Sequence, residues 1–140
     1  VLTEAALRAD IVGLNASLHA GSVGPETALS ALGERFLERR NWVEEAAGDR
    51  FADIELQMNT FMTAVTNTTS EADQMFEGMA PMFGLSPEQA RTIPMVLAGT
   101  ISDVCDQLHQ YRELYGTSYW VIHEGEVDAM APVVAKMTDT

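Results

Sequence analysis

Apolar residues recur along this chain with two periods, and the alternation of the two predicts strands and helices in turn. Asp10 to Leu14 is a short apolar run ending at Asn15, and it reads as a buried strand. A loop over Gly21 to Pro25 precedes a helical stripe in which Leu29, Leu32, Phe36, Val43 and Ala47 fall on one face until Gly48-Asp49 stops it. Ile54 to Val65 reads as a second strand. Ile54, Leu56 and Met58 alternate there with Glu55, Gln57 and Asn59, and Thr66 to Thr69 end it. A helix follows near Ser70 to Phe83, then a short one from Ser86, where a capping hydroxyl, Pro87 and Gln89 stand in capping order. Thr100 to Asp103 opens another helix, whose face of Ile101, Val104, Leu108, Tyr111 and Tyr115 closes at Gly116. Ser118 to Ile122 reads as the third strand. A last helix covers about Asp128 to Met137, with Pro132 placed near its first turn.

Strands separated by helix-sized segments are joined by crossovers rather than hairpins, so the pattern predicts an α/β domain over residues 1–140 with three adjacent parallel strands and helices outside. Such a sheet has two open edges. It also leaves apolar residues in want of cover, with Ile11, Val12, Leu14, Trp120 and Ile122 as candidates. Each large side chain left in water forfeits about 1.5–3 kcal/mol, so a lone monomer is expected to be marginal, and a homo-oligomer or an upstream segment would supply the cover.

Composition narrows the partners. Eight basic residues face 21 acidic ones, a formal charge of −13. That field repels a phosphate backbone and anionic lipid, which argues against nucleic acid and membrane as partners. No apolar run is long enough to span a bilayer, and Val1-Leu2-Thr3-Glu4 does not resemble a signal peptide. Cys105 stands alone, so no internal disulfide forms and a cytoplasmic setting is expected. No cluster has metal-ligand spacing.

Four stretches in order resemble one family, the luciferase-like monooxygenases and their coenzyme F-420 (deazaflavin) dependent relatives. They are Ala6 to Asn15; Trp42 to Phe51 with Ile54 to Gln57; Leu85 to Glu88 with Val96 to Thr100; and Tyr111 to Val121 running on to Ala131 to Val134. The resemblance implies the C-terminal part, about strands six to eight, of a (β/α)8 TIM barrel. It also implies an oxidoreductase, monooxygenase or reductase, that uses reduced FMN or F-420 on a small organic substrate. The Gly-rich phosphate loop and the earlier strands of that family have no counterpart in these residues, so the isolated chain is expected to carry part of a site and to be inactive. The alternative is a non-catalytic truncated barrel acting as a self-associating structural module.

In such a barrel, ligands bind at the C-terminal strand ends, which here implies Asn15 to Ser17, Thr66 to Asn67, and His123 to Glu124. Asn15, Ser17, His123 and Glu124 are the candidate cofactor-binding residues. Asn15 ends a buried strand with an amide that needs partners; it either forms the turn or faces a ligand. His123 can bond a cofactor or substrate oxygen or move a proton, or it is satisfied by a backbone carbonyl. Glu124 either fixes a ring N–H or is a solvated charge. Met75, Met79 and Met82, with Phe76 and Phe83, form either core or an adaptable pocket wall. His19 and His109 read as surface residues and Cys105 as a buried thiol. Catalytic residues are not identifiable, and no metal is expected.

Overall fold

In β1 (Ile11–Leu14) and β2 (Glu55–Asn59), alternate side chains are buried: Val12 and Leu14 from one, Leu56 and Met58 from the other. The computed structural model, which describes residues 1–18, 21 and 23–138, pairs these strands in parallel, with Val12 opposite Leu56 and Leu14 opposite Met58. β2 pairs in parallel with a third strand at Thr117–Val121, placing Met58 beside Trp120 and Asn59 beside Val121. The order of the three is as the spacing predicts. The architecture is α/β, with parallel strands joined through helices.

The second predicted strand differs from expectation. Ile54 to Val65 is two strands, β2 and β3 (Met62–Val65), and β3 belongs to a separate two-stranded parallel sheet with β4 (Val96–Gly99). With β4 numbered, the strand at Thr117–Val121 is β5. Between β2 and β3 the chain changes partners. The buried Thr60 donates its N–H to the Val121 carbonyl at 2.8 Å, and the next N–H, of Phe61, goes to the Met95 carbonyl at 2.7 Å. One residue therefore ends pairing with β5 and the next begins contact with the segment entering β4. The sequence reading placed no strand at Val96–Gly99, where all four residues are buried.

The helices are α1 (Leu2–Arg8), α2 (Pro25–Ser30), α3 (Gly33–Ala47), α4 (Thr69–Met79), α5 (Pro87–Arg91), α6 (Ile101–Tyr115) and α7 (Val127–Thr138). α1 and α3 pack together over β1, while α6 lies against β4, β5, α3 and α7. Phe36, wholly buried on α3, meets Tyr115 edge to face at 6.3 Å. Both expected capping boxes form, Ser86 with Gln89 and Thr100 with Asp103. The Thr100 N–H, helped by the Thr69 hydroxyl, holds the Asp103 carboxyl below its ordinary value. Gly116 takes the left-handed conformation that ends α6, a position where a side chain would be strained.

The carboxyl end of α1 is closed from a distance. Arg50, in the 3-10 turn Gly48–Asp53, donates to the carbonyls of Ala6 at 2.9 Å and Ala9 at 2.7 Å, and to Asp10 Oδ1 at 3.1 Å. It thereby gives carbonyls at the end of α1 the donors that the helix itself lacks.

Two expectations about side chains are corrected. Among the residues expected to lack cover, Val12 and Leu14 are buried and Trp120 and Ile122 are half-buried, because they face the helices; Ile11 is the exposed one. Pro132 is six residues into α7 rather than in its first turn. It and Asp128, whose carbonyl loses its intrahelical donor, are both exposed, so water can satisfy that carbonyl.

Candidate functional site

The opposite face of the three-stranded sheet carries no helix-facing core. Register puts Ile11 beside Glu55, Gly13 beside Gln57, Gln57 beside Tyr119 and Asn59 beside Val121. Ile11, Tyr119 and Val121 are 50%, 42% and 40% exposed. The amides on this face are ordered among themselves: Gln57 Nε2 donates to Asn59 Oδ1 at 2.6 Å. Gly13 makes room for them, since a Cβ there would stand 2.8 Å from Gln57 Oε1 and 3.3 Å from Asn15 Nδ2.

Where this amide row reaches the carboxyl ends of β1 and β2, a cavity of about 410 Å³ opens. Asn15 and Asn59 stand on its wall together with Thr27. The rest of the wall is apolar, with Phe61, Met79, Phe83 and Ile93 among its larger members. Local sequence explains the shape. Pro25 starts α2, whose small Ala28, with Ala31 just beyond, leaves open space. Phe61 is turned at the strand break to meet Phe83 edge to face at 6.2 Å. Among the described residues, no charged side chain lines this cavity. Such a wall suits a neutral ring or chain and offers amides to a polar edge.

Of the predicted site residues, Asn15 is on this wall. Ser17 is exposed and off it; its N–H is bonded to Ser30 Oγ at 2.7 Å, which also accepts from Arg39. His123 and Glu124 are exposed beyond the end of β5 and do not line this cavity. The Met-rich segment divides its work. Met79 and Phe83 line the cavity, Phe76 is buried in the core and Met82 is 76% exposed. Cys105 is buried and His109 half-buried on α6. His19 lies outside the described residues.

Glu126, two residues past Glu124, makes the structural bonds in that region. Its Oε1 accepts from the Thr63 N–H at 2.8 Å and its Oε2 from the His123 N–H at 3.3 Å, tying the turn after β5 to β3. Nothing in the run His123 to Glu126 distinguishes this carboxylate from Glu124; the difference lies in which strand passes nearby. Asn59 and Phe61 were also missed, because they lay inside what reads as one strand. Among the described residues, no group of three or more His, Cys, Asp or Glu side chains could hold a metal ion. Nor is any helix among them long and apolar enough to cross a membrane. No known family model matches the chain, and no curated protein matches it.

Proposed function

We propose that the cavity beyond β1 and β2 is part of the ligand site of a luciferase-like oxidoreductase that uses FMN or coenzyme F-420 on a small organic substrate. On this reading the chain forms about strands six to eight of a (β/α)8 barrel. The observation that carries it is a largely apolar cavity with an amide edge at the carboxyl ends of adjacent parallel strands, the end at which barrel enzymes bind their ligands. The amide-bearing open face of the sheet would then be the barrel interior.

The residues fit one part of the cofactor and not another. An isoalloxazine or deazaflavin ring is planar and apolar over its body with an amide-like edge, matching Phe61, Met79 and Phe83 on one side and Asn15 and Asn59 on the other. Among the described residues no cation lines the cavity, so a cofactor phosphate finds no partner among them. When bound, the ring would supply hydride transfer or oxygen activation. Asn15 and Asn59 would orient it by hydrogen bonds, and the apolar wall would exclude water. Ser17, His123 and Glu124 remain proposals for the surrounding loops.

Lumiflavin, which has the ring without the phosphate, tests this by chemical-shift mapping on the 140-residue chain. Perturbations at Asn15, Asn59 and Phe61 are expected, and N15A should weaken them. FMN should bind no better than lumiflavin. Absence of any shift at those three residues at the solubility limit would overturn the reading.

The exposed Ile11, Tyr119 and Val121 on one face favour a second reading, a self-associating module that joins two such faces. A dimer in ultracentrifugation that Tyr119→Ser dissociates, with no lumiflavin shifts, would select it.

A further inference from the structure

A second groove, of about 400 Å³, lies on the helix-covered side of the sheet between β4, β5, α6 and α7. Its walls include Leu97, Leu108, Trp120, Met130 and Val133, and among the described residues no acidic side chain lines it. Two polar groups on its wall lack partners. Thr117 is 1% exposed, and its hydroxyl has no hydrogen-bond partner. Arg112, in the last turn of α6, has no acceptor for its guanidinium among the described residues, whereas Arg8, Arg35, Arg40, Arg50 and Arg91 each meet a carboxylate. Arg39 donates to Ser30 and Lys136 to Ser102.

A buried hydroxyl without a partner is costly enough that native structures usually satisfy it. Arg112 is exposed, so water meets its guanidinium, but among the described residues it is the one lysine or arginine side chain with no protein partner. Its place at the carboxyl end of α6 favours a cation there, yet that interaction leaves its five N–H donors available. An apolar groove, a guanidinium and a hydroxyl together complement a molecule with an aliphatic tail and one anionic head. About 400 Å³ is at the small end of the roughly 300–1,000 Å³ common for ligand sites.

We propose that this groove binds a medium-chain aliphatic monocarboxylate, its tail between α6 and α7 and its carboxylate on Arg112, with the Thr117 hydroxyl as a second donor. Selectivity follows from the surrounding charge. The field of the whole chain repels anions, so an anion enters only where, among the described residues, the wall lacks acids and the guanidinium has no carboxylate partner. A neutral alcohol of the same length forgoes that pairing, and so binds more weakly.

Trp120 lines the groove, so its emission reports occupancy once the exposed Trp42 is removed by W42F. Octanoate and octan-1-ol are titrated into the W42F chain. Octanoate should give a saturable change and bind more tightly than octanol. R112Q should weaken octanoate about tenfold, the worth of one charge-assisted hydrogen bond, and leave octanol unchanged. T117V should weaken octanoate less. Arg112 is exposed, so R112Q is expected to keep the fold, which circular dichroism checks. The proposal is overturned if octanoate gives no saturable change, if octanol binds equally well, or if R112Q leaves octanoate binding intact.

Discussion

The two faces of the β1-β2-β5 sheet are built from alternate residues of the same strands, and they differ in kind. On one, Val12, Leu14, Leu56 and Met58 are each at most 2% exposed beneath the helices. On the other, Ile11, Glu55, Gln57, Asn59, Tyr119 and Val121 stand on a face that no helix covers. The first face is a finished core. The second holds bonded amides and scattered apolar groups, a mixture suited to a ligand or to further strands rather than to a helix. Burial and the chemistry of the alternating residues separate the faces together.

The sharpest test of the contrast uses two residues three apart on β1. Leu14→Ala, on the covered face, should cost about 2–5 kcal/mol, the usual range for a buried leucine. Ile11→Ala should cost less than about 1 kcal/mol because half of the side chain is already in water. Urea unfolding of both variants measures the difference, and equal losses would mean that the open face is covered in solution.

Alkaline pH probes the covered side next. Burial, with a contribution from Tyr115, pushes the Tyr111 phenol up to about 12 from its ordinary 10. The folded state therefore favours the neutral phenol. That contribution is intact below pH 10 and is lost as the pH rises towards 12. Absorbance titration should show Tyr111 ionising together with unfolding, and Tyr111→Phe should remove part of the alkaline loss of stability.

The smallest effect concerns Gly13 on the open face. Alanine in a strand gains about 0.5–1 kcal/mol over glycine. Here its Cβ meets the end of the Gln57 side chain at 2.8 Å, so Gly13→Ala alone should be nearly neutral. In a Gln57→Ala background the same change should stabilise by that gain. A double-mutant cycle showing no coupling would mean that the amide row does not constrain Gly13.

Much of this contrast was legible along the chain. The alternation of Leu56 and Met58 with Gln57 and Asn59 assigns their faces, and helix-sized spacers imply parallel neighbours in the observed order. The capping residues Ser86 and Thr100 mark helix starts because their hydroxyls act locally. What was not legible depends on partners distant in sequence. The residues around Thr60 and Phe61 favour a strand on both sides, so only the competing pull of β5 and β4 reveals the break. Val96 to Gly99 is a four-residue apolar run, too short to tell a buried strand from the approach to a helix. Asn15 was found at the cavity because it ends a strand; Asn59 ends one too, but that end was hidden within a longer apolar segment.

The guanidinium that closes α1 has a bearing on the order of folding. A seven-residue helix cannot persist by itself in water, and the donors that close this one come from a residue about forty positions later. α1 therefore has to wait for α3 and the turn that carries Arg50, however early it leaves the ribosome. Its amides should exchange with solvent hydrogen sooner than those of α3 or α6. Arg50→Met should quicken that exchange in α1 alone, releasing one end of the molecule while the sheet stays closed to deuterium.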